Sequence, residues 1–509
     1  MTVKAALSRR GRGMGGSLTE QAGTSTVAAY GGGVSESSPA QPASTDDLHT
    51  ESHDPSVPAA YAAFMRTGWG DRELDLPRHS VADFTSVRRQ RLAEAFDGER
   101  LVLPAGGYKV RANDTDYRFR PDTAHTYFSG NQTSDATLVI EGGEAVLYAR
   151  PRSSRETDEF FRDRQYGELW AGRRPSLKEI SDSLGLEVRH IDELSQRLSA
   201  GPKTRVHRGI SAAVDAAVDG DAERDAELAR VASELRLVKD EWEIAQLTEA
   251  CDITTLGFTD SVAEWDRVLE YGERWIEGTF FRRARAMGND IGYDSIVGGG
   301  AHATTLHWIE NSGPIVPGEL VLLDMGVENR NLYTADVTRT IPVNGAYTDT
   351  QRMLYDLVHA AQQAGIDAIK PGVPFLAAHN AAMEVLAHGL ADLGVLPVSA
   401  EEALDPESKL YARWTLHGTS HMLGMDVHDC ANAAADVYPK GDLEEGMVLT
   451  VEPGLYFQSD DLLVPEELRG IGIRIEDDIL VTADGSTNLS GALPRTSSDV
   501  EEWMGRLRG

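Results

Sequence analysis

The apolar residues of the C-terminal half recur at two spacings, which predict helices and short strands. Between Glu241 and Val262 they fall three or four positions apart, on one face of a helix. A second helix runs from Thr350 to Ile369 and ends before Pro371-Gly372. Short strands are predicted around these helices, at residues 320–324, 336–342, 447–452 and 471–476. Because helices and strands are interspersed, we expect an α+β fold.

The first 237 residues divide into a tail and a domain. Residues 1–57 are rich in Gly, Ser, Thr, Ala and Pro and carry almost no periodic apolar pattern, so we expect them to be disordered. Residues 58–237 alternate between strand-like and helical segments, and we interpret them as the first domain. Its predicted elements are strands at 101–104 and within 136–148, with a turn at Gly142-Gly143, and a helix at 226–237. The second predicted domain covers residues 238–509.

The chain is acidic, with 49 basic and 81 acidic residues among 509 and a formal net charge of −32. This charge repels phosphate backbones, so we expect no nucleic-acid partner. No apolar run approaches the roughly 20 residues that span a bilayer, so we expect no membrane insertion. The two cysteines exclude a disulfide scaffold and fit a reducing compartment, so we expect a cytoplasmic protein.

Two aspartates flank a predicted hairpin. The apolar strand at residues 320–323 ends in Asp324, and the chain returns to Asp336 twelve positions later. A hairpin between them would put both carboxylates side by side, where they repel unless they share a proton or a cation. Taken alone, the pair fits two exposed turn acids equally well.

Three histidines, His417, His421 and His428, fall within twelve residues of a chain that has only 14. This density is typical of metal binding or proton transfer. The spacing of the first two also fits the helix signature of zinc proteases, but Gly418 stands where that signature requires a glutamate.

Two further strands carry acids. Glu452 ends the apolar run 448–451, and Arg474 and Glu476 alternate with isoleucines at 471, 473 and 475. Arg474 and Glu476 therefore project from one face, which is either a buried polar site or an exposed face with an ion pair. Four carboxylates and one imidazole carry a charge of −4, which balances two divalent cations, and these ligands suit Mn²⁺ or a similar hard-to-borderline ion better than a structural zinc. The set is Asp324, Asp336, His421, Glu452 and Glu476. Paired metals that activate a bridging water are suited to hydrolysis.

The glycine run Gly298-Gly299-Gly300 lacks the lysine of a phosphate-binding loop and the spacing of a dinucleotide site. We interpret it as a flexible turn that leads to His307, just ahead of the strand that ends in Asp324.

Taken together, these segments resemble the aminopeptidase P (Xaa-Pro aminopeptidase) family of the creatinase/prolidase/methionine aminopeptidase superfamily. The resemblance covers the C-terminal half in order, and His417 to Asp429 is its most specific part. The N-terminal half matches more loosely, through Tyr127 to Gly130 and Leu169 to Arg174. The resemblance implies a C-terminal "pita-bread" α+β catalytic domain, preceded by a creatinase-like α/β domain.

The resemblance also implies a role for each site residue. Asp324 would hold one metal, Asp336 and Glu476 would bridge both, and His421 and Glu452 would complete the other. Glu452 would be the general base for a metal-bridging hydroxide that attacks the scissile carbonyl. The remaining site residues would contact substrate (His307, His428), line the proline pocket (His417), support the carboxylates (Arg474) and lie near the site (Tyr456). The family is typically manganese-activated and homo-oligomeric, as a dimer or tetramer.

The expected activity is removal of an N-terminal residue from peptides whose second residue is proline. A prolidase, which cleaves only Xaa-Pro dipeptides, would use the same five ligands and stays open as an alternative. A non-catalytic binding module of the same fold is a further alternative, although such proteins lose ligands that are all present here. Two departures from the family pattern are the hairpin, longer by one residue at 328–331, and Ala124, where an acid is usual.

Overall fold

The computed structural model describes residues 48–50, 54–70, 72–199 and 201–508. Most of the tail expected to be disordered therefore lies outside the described residues. The part of it that is described contacts the domain that follows: the His49 N–H donates to Asp163 Oδ2 at 2.9 Å, and Arg164 Nε donates to Asp54 Oδ1 at 3.0 Å.

Helices occupy both halves of the described chain. In the N-terminal half they are α1 (Ala59–Met65), α2 (Ala82–Ala95), α3 (Thr123–Ser129), α4 (Glu159–Arg162), α5 (Glu168–Ala171), α6 (Leu177–Leu184), α7 (Leu194–Leu198), α8 (Ala212–Ala217) and α9 (Ala222–Glu234). In the C-terminal half they are α10 (Glu241–Ala263), α11 (Trp265–Tyr271), α12 (Glu273–Met287), α13 (Asp349–Asp367), α14 (Ala377–Asp392), α15 (Ala400–Leu404) and α16 (Ser497–Arg508). The helices predicted at 241–262 and 350–369 are α10 and α13.

The strands are short throughout. In the N-terminal half they are β1 (Arg100–Pro104), β2 (Val110–Ala112), β3 (Thr115–Asp116), β4 (Thr137–Glu141), β5 (Glu144–Ala149), β6 (Glu187–His190) and β7 (Thr204–Val206). In the C-terminal half they are β8 (Asp290–Ile291), β9 (Ile296–Gly299), β10 (Leu320–Asp324), β11 (Val327–Glu328), β12 (Thr338–Pro342), β13 (Val448–Val451), β14 (Gly454–Tyr456), β15 (Gly472–Arg474), β16 (Asp477–Thr482) and β17 (Gly485–Asn488).

The N-terminal half is built on one mixed sheet with the order β6-β5-β4-β1-β7 among the described residues. The turn at Gly142-Gly143 joins β4 to β5, as predicted, and both glycines have positive φ, which favours glycine because it has no Cβ. The outer strands β6 and β7 run parallel to their neighbours, whereas β1, β4 and β5 are antiparallel. This half is therefore α/β in character.

The C-terminal half uses small antiparallel sheets to gather residues that are distant in sequence. Strand β10 lies between β9 and β12, and the register pairs Asp324 with Thr338. Strand β13 pairs with β16, and β14 pairs with β15. The ends of these pairs bring the predicted acidic residues to one region. The α+β prediction is confirmed.

Two details of the prediction are wrong. Gly298-Gly299-Gly300 is not a flexible turn: the first two residues end strand β9, Gly300 begins a 3₁₀ helix, and all three are buried. A Cβ at Gly298 would lie 2.8 Å from the Ala303 backbone nitrogen, so the run serves close packing. The strand predicted at 336–342 begins at Thr338, which leaves Asp336 just ahead of β12.

Buried apolar side chains of the C-terminal half, from helices α10 to α14 and strands β9 to β12, form a continuous core. A second core joins the two halves, because Leu332, Tyr333 and Leu423 pack with apolar side chains of α2, α3 and β1. Among the described residues, no helix combines the length and apolar character required to cross a membrane.

Candidate metal centre

Three predicted metal ligands converge in the structure. Asp336, His421 and Glu476 each place a ligand atom within 4.8 Å of those of the other two. Asp336 precedes β12, Glu476 lies between β15 and β16, and His421 lies in the loop before β13. The loop is held because the His421 N–H donates to Thr450 Oγ1 at 3.2 Å.

Asp336 and His421 form a close pair, with 3.3 Å between Asp336 Oδ2 and His421 Nε2. Burial acts to raise the pKa of Asp336, but the hydrogen bond and charge of His421, together with Tyr293 and Arg474, outweigh it and the net pKa is lowered. Burial acts to lower the pKa of His421, and the neighbouring carboxylates of Asp336 and Glu452 raise it on balance to about 9. The imidazole therefore carries a proton that a metal ion would replace.

Asp324 lies beside this group and is held on both oxygens. Tyr293 OH donates to Oδ1 at 2.6 Å, and Arg474 Nη2 donates to Oδ2 at 2.6 Å. Burial nevertheless raises the pKa of Asp324, with a further contribution from Asp336. The hydrogen bonds fix its orientation before any cation binds.

Glu476 and Glu452 complete the predicted set. Glu476 Oε2 accepts from Thr338 Oγ1 at 2.6 Å, and Glu452 Oε1 lies 3.7 Å from His421 Nε2. Burial raises the pKa of Glu452 to about 7 and that of Glu476 well above its usual value. Desolvated carboxylates that repel one another gain most from a cation.

This arrangement fits divalent metal ions. Carboxylate oxygens dominate, one imidazole joins them, and thiol ligands are missing from the described group, which suits hard to borderline cations. The raised pKa values of Glu452 and Glu476 show the electrostatic cost that bound cations would relieve.

A directed chain of hydrogen bonds leads away from the carboxylates. Arg474 Nη1 donates to Tyr456 OH at 3.0 Å, and Tyr456 OH lies 2.8 Å from His417 Nε2. His417 Nδ1 lies 2.8 Å from the Gly418 carbonyl, which only accepts, so Nδ1 carries the proton and Nε2 accepts from Tyr456. Burial lowers the pKa of His417 to about 4, and the Arg474 charge contributes, so this ring is neutral near pH 7.

His428 and His307 border the same space. The His428 ring centroid lies 4.3 Å from that of His421 in an edge-on arrangement. His307 is exposed, in the segment that follows β9. Burial and then the His421 charge lower the pKa of His428, and His307 contributes to this shift and to that of His417. All predicted site residues thus surround one region.

Four residues outside the predicted set help to build it. Thr338 Oγ1 accepts from Arg474 Nε at 3.2 Å while it donates to Glu476. Asp478 Oδ2 accepts from the Asp336 N–H at 3.1 Å. Tyr293 binds Asp324, and His379 Nδ1 lies 2.9 Å from Thr419 Oγ1 beside His417. Thr338 and Asp478 each follow a predicted ligand by two positions, and this spacing in an extended segment is the signal that could have found them.

Comparisons with known proteins agree with this geometry. Residues 245–483 match the metallopeptidase family M24, and residues 86–207 match the aminopeptidase P N-terminal domain. The two matches define a metallopeptidase with a pita-bread catalytic domain and a preceding creatinase-like domain.

Relatives identify the family more closely. Xaa-Pro aminopeptidase 1 of Streptomyces coelicolor is 53% identical over 464 residues, which cover 89% of this chain and 94% of the relative. Xaa-Pro aminopeptidase of Escherichia coli is 32% identical, with 82% and 96% covered. The solved structure of E. coli aminopeptidase P with the inhibitor Pro-Leu matches with a TM-score of 0.75 at 30% identity, covering 84% of this chain and 99% of that one. The chain belongs to the Xaa-Pro aminopeptidase family and is a hydrolase.

Proposed function

We propose that the protein is a dinuclear-metal aminopeptidase that cleaves the bond between an N-terminal residue and a penultimate proline. The observation that carries the proposal is the convergence of Asp336, His421 and Glu476, with Asp324 and Glu452 beside them. These five residues would hold two divalent cations. Bound there, the cations would supply an acidified water and a Lewis acid for the scissile carbonyl.

The other side chains act on the peptide. Glu452 lies beside His421, with 3.7 Å between Oε1 and Nε2, and accepts the proton of the attacking water. His428 and His307 donate hydrogen bonds to the carbonyl oxygen as its negative charge develops. His417 and Tyr456 line the pocket for the proline ring, where the neutral imidazole avoids burying a charge against it. Arg474 holds Asp324 and Tyr456 in place.

The metal, the location, the oligomeric state and the domain boundaries are proposed from the chemistry of the residues and from the related proteins. Mn²⁺ suits the oxygen-rich ligands, while a zinc-substituted structure of the E. coli enzyme is among the neighbours. Both cysteines are buried free thiols, which supports a cytoplasmic location. We propose a homo-oligomer, and a division into domains at residues 58–237 and 238–509, each of which contains one family match.

The test is hydrolysis by the Mn²⁺-loaded protein of an Xaa-Pro dipeptide and an Xaa-Pro-Yaa-Zaa tetrapeptide, side by side. The chelated protein and Glu452→Gln, which keeps the size of the side chain, are the controls. We expect release of the N-terminal residue from the tetrapeptide, lost in both controls. Cleavage of the dipeptide alone would indicate a prolidase, and inactivity on both would favour a binding module.

A further inference from the structure

A buried carboxylate lies at the start of α12. Glu273 is fully buried, and its two oxygens accept four hydrogen bonds. Oε1 accepts from the Gly299 N–H and from His302 Nδ1, both at 2.8 Å. Oε2 accepts from Trp308 Nε1 at 2.9 Å and from the Gly313 N–H at 2.6 Å. The Glu273 N–H in turn donates to the Gly313 carbonyl at 3.0 Å.

All four donors belong to a single stretch of chain, residues 299–313, which joins β9 to the loop before β10. Beyond Gly299, which ends β9, and the short 3₁₀ helix Gly300–Thr304, this stretch has no regular secondary structure in the described chain. A buried charge is costly unless donors surround it, and four donors together with the N-terminus of a 15-residue helix meet that need. Glu273 therefore holds residues 299–313 in place, where few backbone hydrogen bonds of regular secondary structure do so.

The segment has little freedom around the carboxylate. The His302 ring stacks on Trp308, with centroids 3.9 Å apart and planes 25° apart. A Cβ at Gly313 would lie 2.5 Å from the His302 ring, so the backbone approaches as closely as glycine allows. Two aromatic rings and two backbone amides are thus fixed by one side chain.

His307 immediately precedes Trp308 in this segment. It is exposed, and its neighbours Leu306 and Trp308 pack against a small apolar cluster that contains Tyr456, so His307 lies beside the candidate metal centre. Its own side chain has no described hydrogen bond that would fix it. The position of His307 therefore depends on how the adjacent Trp308 is held.

We propose that Glu273 is a positioning residue for the peptidase reaction: by binding residues 299–313 at four points, it holds His307 where that residue meets the substrate carbonyl. This inference rests on the proposed role of His307. Glu273 acts through His307 and does not touch the reacting atoms.

Glu273→Gln tests the proposal, because glutamine keeps the shape but turns one acceptor oxygen into a donor nitrogen that faces two N–H groups. We expect kcat to fall about 10- to 100-fold with KM little changed, because a catalytic group displaced by about 1 Å costs that much. Metal content should stay at the wild-type value. Glu277→Gln makes the same charge change one turn further along α12, at a partly exposed position, and should keep wild-type kinetics.

A double-mutant cycle with His307→Ala separates positioning from general stability. If Glu273 acts through His307, Glu273→Gln should lower kcat by less than about twofold in the His307→Ala background. Trp308→Phe, which removes one donor and keeps an aromatic ring, should show the same dependence on His307 and serves if Glu273→Gln does not fold.

The outcomes separate the positioning role of Glu273 from the proposed role of His307 at the substrate carbonyl. Either of two results would overturn the positioning role alone. In the first, Glu273→Gln lowers kcat as much in the His307→Ala background as in the wild type. In the second, Glu273→Gln has wild-type kinetics although His307→Ala is impaired. Wild-type kinetics of His307→Ala would overturn the proposed role of His307, and the positioning role with it.

Discussion

Arg474 is the buried cation beside the carboxylates of the candidate metal centre. Its replacement by methionine tests how far the stability of this group depends on that cation. The guanidinium donates to Asp324 at 2.6 Å, to Tyr456 at 3.0 Å and to Thr338 at 3.2 Å. The hydrogen bond to the Asp324 carboxylate, at about 1.5–3 kcal/mol, and the two bonds to neutral hydroxyls, at about 0.5–1.5 kcal/mol or more each, sum to at least about 2.5–6 kcal/mol. This agrees with the cost of about 3–5 kcal/mol for removing one partner of a buried ion pair.

The loss of stability in Arg474→Met should be measured by calorimetry on the chelator-treated protein. We expect Arg474→Met to lower the apparent Tm by about 6–20 °C, because each kcal/mol corresponds to about 2–4 °C in a domain of this size. In the metal-loaded protein the loss should be smaller, since bound cations would compensate the charge of Asp324 that the missing guanidinium leaves unpaired.

Arg413→Met is the matched control. Arg413 makes two hydrogen bonds of 2.9 Å to Asp461, but half of its side chain is exposed, so its removal should cost clearly less stability than that of Arg474. Equal losses in the two variants, or a loss below about 1 kcal/mol for Arg474→Met, would refute the view that the carboxylates depend on this buried cation.

Further predictions concern individual groups and the tail. Glu452→Ala should abolish turnover, because it removes a proposed ligand and the proposed base, and activity near wild type would contradict both roles. His428→Ala should lower kcat about 100-fold with metal still bound, and metal loss on analysis would instead make His428 a ligand. Burial lowers the pKa of His417 to about 4, so His417→Gln should leave the pH profile of kcat/KM unshifted above about pH 5. A changed acid limb of the profile would show that the ionisation behind this limb belongs to His417. Deleting residues 1–47 should leave Tm and kcat unchanged. Deleting residues 1–57 also removes the contacts with Asp163 and should lower Tm. A change in Tm or kcat on the shorter deletion would show that residues 1–47 contribute to stability or activity.

The sequence predicts best those elements whose pattern is local. Helix α10 is predicted at 241–262 and spans Glu241–Ala263, because its apolar face and capping residues lie within the element. Helix α12 has no counterpart among the predicted elements. The glycine run is predicted as a turn because glycine disfavours strands, yet pairing with β10 and close packing make part of it a strand.

The same contrast explains what can be predicted of the site. An acid that ends an apolar strand is visible in the sequence, so Asp324 and Glu452 stand out as candidates, although the pattern at Asp324 taken alone also fits an exposed turn acid. The groups that hold these acids are distant in sequence: Arg474 follows Asp324 by 150 positions, and Asp478 follows Asp336 by 142. Which donor meets which carboxylate depends on strand register, and a one-residue slip would reverse the faces. Candidate ligands can therefore be proposed from the chain, whereas the donors that orient them are properties of the folded sheets.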